Sequence, residues 1–189
     1  VNEVLTGGIV SLDPTDASLQ PWNANNVGQQ PINTNCGARV TDILTQGDTA
    51  FVTAEGDPPG CYEGTYSAAI ADGTINWNAS CLGASQALAI ANDVLYKGSH
   101  QHDCAFTEGG AFGGFVGGIG REVFLHRYLV AQDLRDGSFA HWYPNTNATS
   151  VGNTTSVGPQ AMASDGREIV VGGDFTRVNG TNQAGLARF

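Results

Sequence analysis

The sequence predicts an all-β chain, a partial β-propeller of four-stranded antiparallel blades with two complete blades and partial blades at both ends. Three observations carry that reading. A tryptophan recurs at positions 22, 77 and 142, each time after an aspartate-bearing turn. A second motif recurs three times without gaps. The composition, with 26 Gly and a charged fraction of 14%, suits many short strands joined by tight turns.

The tryptophan units come first. Leu19-Gln20-Pro21-Trp22, Thr74-Ile75-Asn76-Trp77 and Phe139-Ala140-His141-Trp142 follow turns at Asp16, Asp72-Gly73 and Asp136-Gly137. Ahead of those turns stand the alternating stretches Ile9-Val10-Ser11-Leu12, Tyr66-Ser67-Ala68-Ala69-Ile70 and Tyr128-Leu129-Val130-Ala131. Each unit reads as two strands and a turn, the second strand closing on tryptophan. As blade anchors at equivalent positions, the tryptophans are packing residues and not sugar platforms.

The second motif lies between these units. Thr41 to Asp48 runs into Ala50-Phe51-Val52, Gln86 to Asp93 into Leu95-Tyr96-Lys97, and Gln160 to Arg167 into Ile169-Val170-Val171. Each copy is an apolar strand, a turn at Gly47, Asn92 or Gly166, and a second apolar strand. A β-sandwich of similar strand count would not repeat its turn chemistry in this way.

The chain then divides into four parts of one propeller domain. Residues 1–23 are a partial blade holding its third and fourth strands, and 36–78 are a blade. Residues 81–143 are a blade with an insertion, 103–123, between its second and third strands. Residues 157–189 hold the first three strands of another. The expectation is a segment of a longer propeller, or blades completed by neighbouring chains.

The formal charge of −10 repels polyanions and makes nucleic acid a poor partner. No apolar run is long enough for a membrane-spanning helix. Cys36 and Cys81 both precede a first strand, and Cys61 and Cys104 both follow a second strand. Four cysteines allow three connectivities, and equivalence between repeats favours Cys36–Cys61 and Cys81–Cys104. Disulfides place the chain in an oxidising compartment, secreted or at the cell surface.

The segment Val170-Val171-Gly172-Gly173-Asp174-Phe175-Thr176-Arg177-Val178-Asn179-Gly180, followed by Gly185-Leu186-Ala187-Arg188-Phe189, resembles the GG-x-F-x-x-V-N-G repeat of bacterial, actinobacterial-type secreted β-propellers. The stretches 81–87 and 98–104 are similar to segments of the same proteins. The two earlier blades depart from the signature, with Ala54-Glu55-Gly56 and Ser99-His100-Gln101 in its place. The resemblance implies a multi-blade extracellular protein, often beside adhesion or carbohydrate-binding modules, with no catalytic set to carry over.

Candidate ligand residues gather in the loops that follow the second strands: Glu55, Glu63, His100, His102, Asp103, and Phe112 and Phe115 within a glycine-rich insertion. On extended chain His100 and His102 point to one side, so with Asp103 they form a candidate site for a divalent metal, calcium or zinc. The alternative is a hydrogen-bonding scaffold role, and no cofactor is otherwise expected. Neither G-x-S-x-G nor H-E-x-x-H occurs. Asp13, Asp16 and Asp165 read as turn formers before calcium ligands. Of four sequons, at Asn78, Asn147, Asn153 and Asn179, Asn147 and Asn153 lie in a Thr/Ser/Asn-rich loop and are candidate glycan sites.

The functional expectation is a non-catalytic extracellular scaffold or binding module whose loop face meets a glycan or protein. The alternatives are a structural subunit of a larger assembly, or a metal-assisted hydrolase or lyase on the same face. Peptide mapping without reduction should recover Cys36 linked to Cys61 and Cys81 linked to Cys104; a cross-link between the two blades would sink the repeat-equivalence argument.

Overall fold

In the computed structural model, which describes residues 8–26, 37–57, 62–80, 83–101, 127–144, 146–148 and 158–189, the chain is all-β. Its strands form several small antiparallel sheets, one of them four-stranded. Strands β1 (Ser11–Leu12) and β2 (Leu19–Gln20) make a short hairpin, followed by a 3₁₀ turn at Asn23–Asn26. Strands β3 (Gly37–Gln46), β4 (Thr49–Asp57), β5 (Gly64–Ala69) and β6 (Ile75–Ser80) pair in chain order. So do β7 (Ser85–Ala91), β8 (Val94–Gln101) and β9 (Arg127–Asp133). In the last sheet β10 (Pro159–Ser164) and β11 (Ile169–Gly173) come first. The hairpin of β12 (Arg177–Val178) and β13 (Thr181–Asn182) then intervenes before β14 (Leu186–Arg188) pairs with β11.

The turns explain why these segments become hairpins. Gly47 enters the β3–β4 turn at φ +56°, and Asn92 and Asp93 form the β7–β8 turn at φ +50° and +59°. Positive φ at these positions matches the twist of paired strands, and glycine, asparagine and aspartate adopt it most readily. Between β10 and β11 the Asp165 carboxylate accepts the Arg167 and Glu168 N–H groups, each at 2.9 Å.

The three aligned copies also share a bulge. The pairing of β3 with β4 skips Thr41, that of β7 with β8 skips Gln86, and that of β10 with β11 skips Gln160. These are the first residues of the three copies. A bulge re-aims its side chain out of the ladder, and two of the three reach another sheet. Thr41 Oγ1 donates to the Ser85 carbonyl at 2.5 Å. Gln86 donates its side-chain amide to Glu55.

The sheets pack face to face, with alternate residues of each second strand pointing opposite ways. Ala50, Val52 and Ala54 of β4 join Trp22, Tyr62 and Tyr66 in one cluster. Phe51, on the other face, joins Trp77, Leu88, Leu95, Val130 and Phe139. Tyr96 of β8 packs against a third cluster containing Leu129, Ile169, Val171 and Phe175. The repeating unit is thus a sheet that shares a core with the sheet on each side.

Tryptophan joins successive sheets in a fixed way. The Trp22 indole N–H donates to the Ile70 carbonyl at 3.0 Å, and that of Trp77 donates to the Leu134 carbonyl at 2.9 Å. Both acceptors open the turn after the third strand of the next sheet. Gly73 and Gly137 sit in these turns at φ +72°. A Cβ on Gly137 would lie 2.5 Å from Cε3 of Trp77, and one on Gly73 would lie 2.6 Å from the backbone nitrogens of Asn23 and Ala24 and 2.8 Å from Cδ2 of Trp22. The anchor expectation for these two tryptophans matches this packing.

One strand differs from expectation. The segment after Gly137 does not form a fourth strand along β9; Phe139 makes a single bridge to Gln132. The ladder stops because the chain turns there, with the Trp142 N–H donating back to the Ala140 carbonyl at 2.8 Å.

The GG-x-F-x-x-V-N-G segment has a physical reading position by position. A Cβ on Gly173 would lie 2.0 Å from the Gly158 carbonyl oxygen, so only glycine fits. Phe175 is buried in the third cluster. Asn179 and Gly180, at φ +50° and +80°, make the β12–β13 turn.

Glycine replacement separates conformation from collision. Gly47→Ala meets open space and should cost about 1 kcal/mol for the left-handed backbone alone. Gly73→Ala and Gly137→Ala should cost about 2–4 kcal/mol, because the collision adds to that strain. Urea denaturation of the three variants checks this, and equal losses would refute the indole-to-turn docking.

Candidate functional site

The end of β4, the start of β7 and the end of β8 come together at one edge. Ser85 pairs with Ser99, and Gln86 reaches across to Glu55. Glu55 lies near the end of β4, Glu63 precedes β5, and His100 lies in β8. His102, Asp103, Phe112 and Phe115 lie outside the described residues, as do the side chain of His100, all four cysteines and Asn153.

The two described carboxylates are already engaged. Glu55 takes the guanidinium of Arg39, its cross-strand partner on β3, on one oxygen and the Gln86 amide on the other. Glu63 Oε2 accepts the Gly83 N–H at 2.5 Å. Both therefore tie the first large sheet to the start of the next. Beside them the buried Tyr62 hydroxyl donates to Asn78 Oδ1 at 2.9 Å, and burial pushes that phenol well up.

Asp42 does the same further along β3. Freed by the bulge at Thr41, its carboxylate accepts the Ile43 N–H and, from β7, the Leu88 N–H, both at 2.8 Å. Charge-assisted bonds of this kind are stronger than neutral ones.

The turn aspartates act locally. Asp13 accepts the Thr15 N–H at 2.7 Å and Asp16 the Ser18 N–H at 2.8 Å. These backbone bonds hold both carboxyls below the usual range. Asp165 is lowered likewise by the Glu168 and Arg167 N–H groups. At Asp133 the Arg135 guanidinium brings the carboxyl down to about 2. Among the described residues no three His, Cys, Asp or Glu side chains gather to hold a metal.

Asn147, a candidate glycan site, is a clamp here. Its Oδ1 accepts the Thr176 and Arg177 N–H groups at 3.0 and 2.8 Å, and its Nδ2 donates to Thr176 Oγ1 at 3.1 Å.

Sequence reasoning missed a groove at the opposite end of the sheets. Strands β3, β7 and β10 enclose about 540 Å³ there, floored by Leu44, Ile90 and Met162 and rimmed by Gln46, Asn92 and Asp93. Asn92 is itself tied to the β10–β11 turn, donating Nδ2 to the Arg167 carbonyl at 2.8 Å. A groove between repeats follows from sheet spacing, which no single repeat encodes. Its lining is mixed, with aliphatic side chains beside the amides of Gln46 and Asn92, the Asp93 carboxylate and the hydroxyls of Thr45 and Ser164.

Carboxylate removal tests these assignments. Asp42→Ala should lower stability by about 1.5–3 kcal/mol, since charged hydrogen bonds are lost and the Leu88 N–H is orphaned. Glu55→Ala, at a partly exposed pair, should cost about 1 kcal/mol or less. Denaturant midpoints decide it; an Asp42→Ala protein as stable as the parent would show that the bulge carboxylate does not join the sheets.

No protein-family model matches the chain, and no curated protein matches it.

Proposed function

We propose that this chain is part of an extracellular, non-catalytic β-propeller that serves as a scaffold or binding module, offering its loop end to a glycan or protein. One observation carries the reading: the same indole-to-turn bond joins two successive pairs of sheets, Trp22 to Ile70 and Trp77 to Leu134. A repeated junction between repeated sheets is how a propeller propagates from blade to blade. The shared bulge at Thr41, Gln86 and Gln160 supports it, as does the GG-x-F segment and its resemblance to secreted bacterial propellers.

The scaffold role follows from where the acids are spent. Glu55 and Glu63 hold sheets together, which leaves ligand contact to the loops flanking them, with Phe112 and Phe115 as the aromatic candidates. A second reading, a structural subunit completed by neighbours, draws on the last sheet. There Val170 and Leu186 stay 38% and 57% exposed on the face that the preceding sheets use for packing.

The test is binding of the exported protein to arrayed polysaccharides and cell-surface proteins, with and without chelator, alongside product analysis. The expected result is retention that survives chelation, releases no product and is lost in Phe112→Ala/Phe115→Ala. Chelator-sensitive turnover would replace this reading with the metal-assisted hydrolase or lyase. Growth of the particle with concentration, without ligand retention, would replace it with the structural subunit.

A further inference from the structure

The chain has a single lysine, Lys97, and it is wholly buried. It lies on β8, two residues beyond Leu95 and thus on the same face, in the seam between the β3–β6 and β7–β9 sheets. Among the described residues its Nζ has no hydrogen-bond partner, and it sits 5.6 Å from the centroid of the Phe139 ring. A ring face offsets part of an ammonium charge, not the loss of its water.

Among the described side chains, the charged groups that border the seam are committed elsewhere. On β3 and β4, Asp42 accepts backbone N–H groups and Glu55 is paired with Arg39 and Gln86. Strands β5, β6 and β7 carry no charged residue. On β9, Asp133 is held by Arg135, and Tyr128 is a half-buried phenol raised by burial. Nothing among these neutralises an ammonium at Nζ.

We propose that Lys97 is a proton-operated latch on this seam, closed while the amine is neutral and opened locally when it takes up a proton. Opening exposes Nζ to water, which is the one way an unpaired ammonium here recovers its solvation. Burial brings the amine down to about 7 in the closed protein, against about 10.4 in an unfolded chain. Between these values the open form binds more protons than the closed one. Falling pH therefore favours opening throughout that window, and the effect levels off below about 7.

A lone lysine makes the test direct. With isotope-labelled lysine the folded protein shows one lysine signal set, whose titration midpoint should lie near 7 and return to about 10.4 in urea. Amide exchange in β8 and β9, corrected for intrinsic chemistry, should report opening that rises about tenfold per pH unit as pH falls from about 10 to 7. Lys97→Met should flatten that profile. A folded-state midpoint near 10.4, or the same exchange profile in Lys97→Met, overturns the latch. If Lys97→Met does not fold, the titration of the parent protein alone decides.

Discussion

An indole pressed onto a backbone turn is the interaction on which the stacking of this chain depends. A buried tryptophan must find an acceptor for its N–H, and the start of the next turn offers an unpaired carbonyl at Ile70 or Leu134. Each turn is held in shape by its own aspartate, Asp72 accepting the Thr74 N–H and Asp136 the Ser138 N–H, both at 2.9 Å. Each must also lack a Cβ where the indole or its backbone arrives. The β1–β2 turn makes the contrast. It has the same aspartate, Asp16, but Ala17 at φ +58° where the others have glycine. That turn tolerates a side chain because no described tryptophan docks on it. The glycines are therefore set by the junction and not by the turn.

The seams between sheets are not alike. The one between β7–β9 and the last sheet is built from Ala89, Leu129, Ile169, Val171 and Phe175. The one before it carries a buried polar layer. Thr53 and Thr65 face each other across β4 and β5, Ser99 and Lys97 follow Leu95 on β8, and Thr41 joins Thr53 at 2.9 Å while donating to Ser85. Apolar faces slide with little penalty, whereas hydroxyls that lose a partner leave a desolvated group behind. The Thr41 bonds thus hold the register of this seam, which is also the one where the proposed protonation of Lys97 has most leverage.

What was legible in the sequence was local. Turn residues, the ungapped copies and the tryptophans are each decided within a few positions, and the bulges fall on the first residue of each copy because the strand geometry there repeats. The strand after Gly137 was not legible, since its alternation looks like that of β6 and only the turn-back at Trp142 stops it. The expectation of a shared loop face for Glu55, Glu63 and His100 came from the repeat. The engagement of both carboxylates did not, because Gln86 lies on β7 and Gly83 just ahead of it, beyond the sheet that carries the acids. Lys97 sits in an apolar run that reads as a buried strand, but a sequence does not show whether a lysine in such a run reaches solvent along the sheet.

The spending of the acids constrains what the loop end can do. A carboxylate that accepts a neighbour's N–H or pairs with a guanidinium has part of its acceptor capacity committed. To act as a general acid it must take up a proton, which weakens or releases such a bond. For Glu55 and Glu63 release means loosening the join between the first large sheet and β7, so chemistry there would be coupled to opening of the scaffold. Binding makes no such demand. Loops that leave the same edge can present side chains to a ligand while the carboxylates beneath stay bonded and keep the platform rigid. The arrangement thus agrees with the proposal that this end serves recognition.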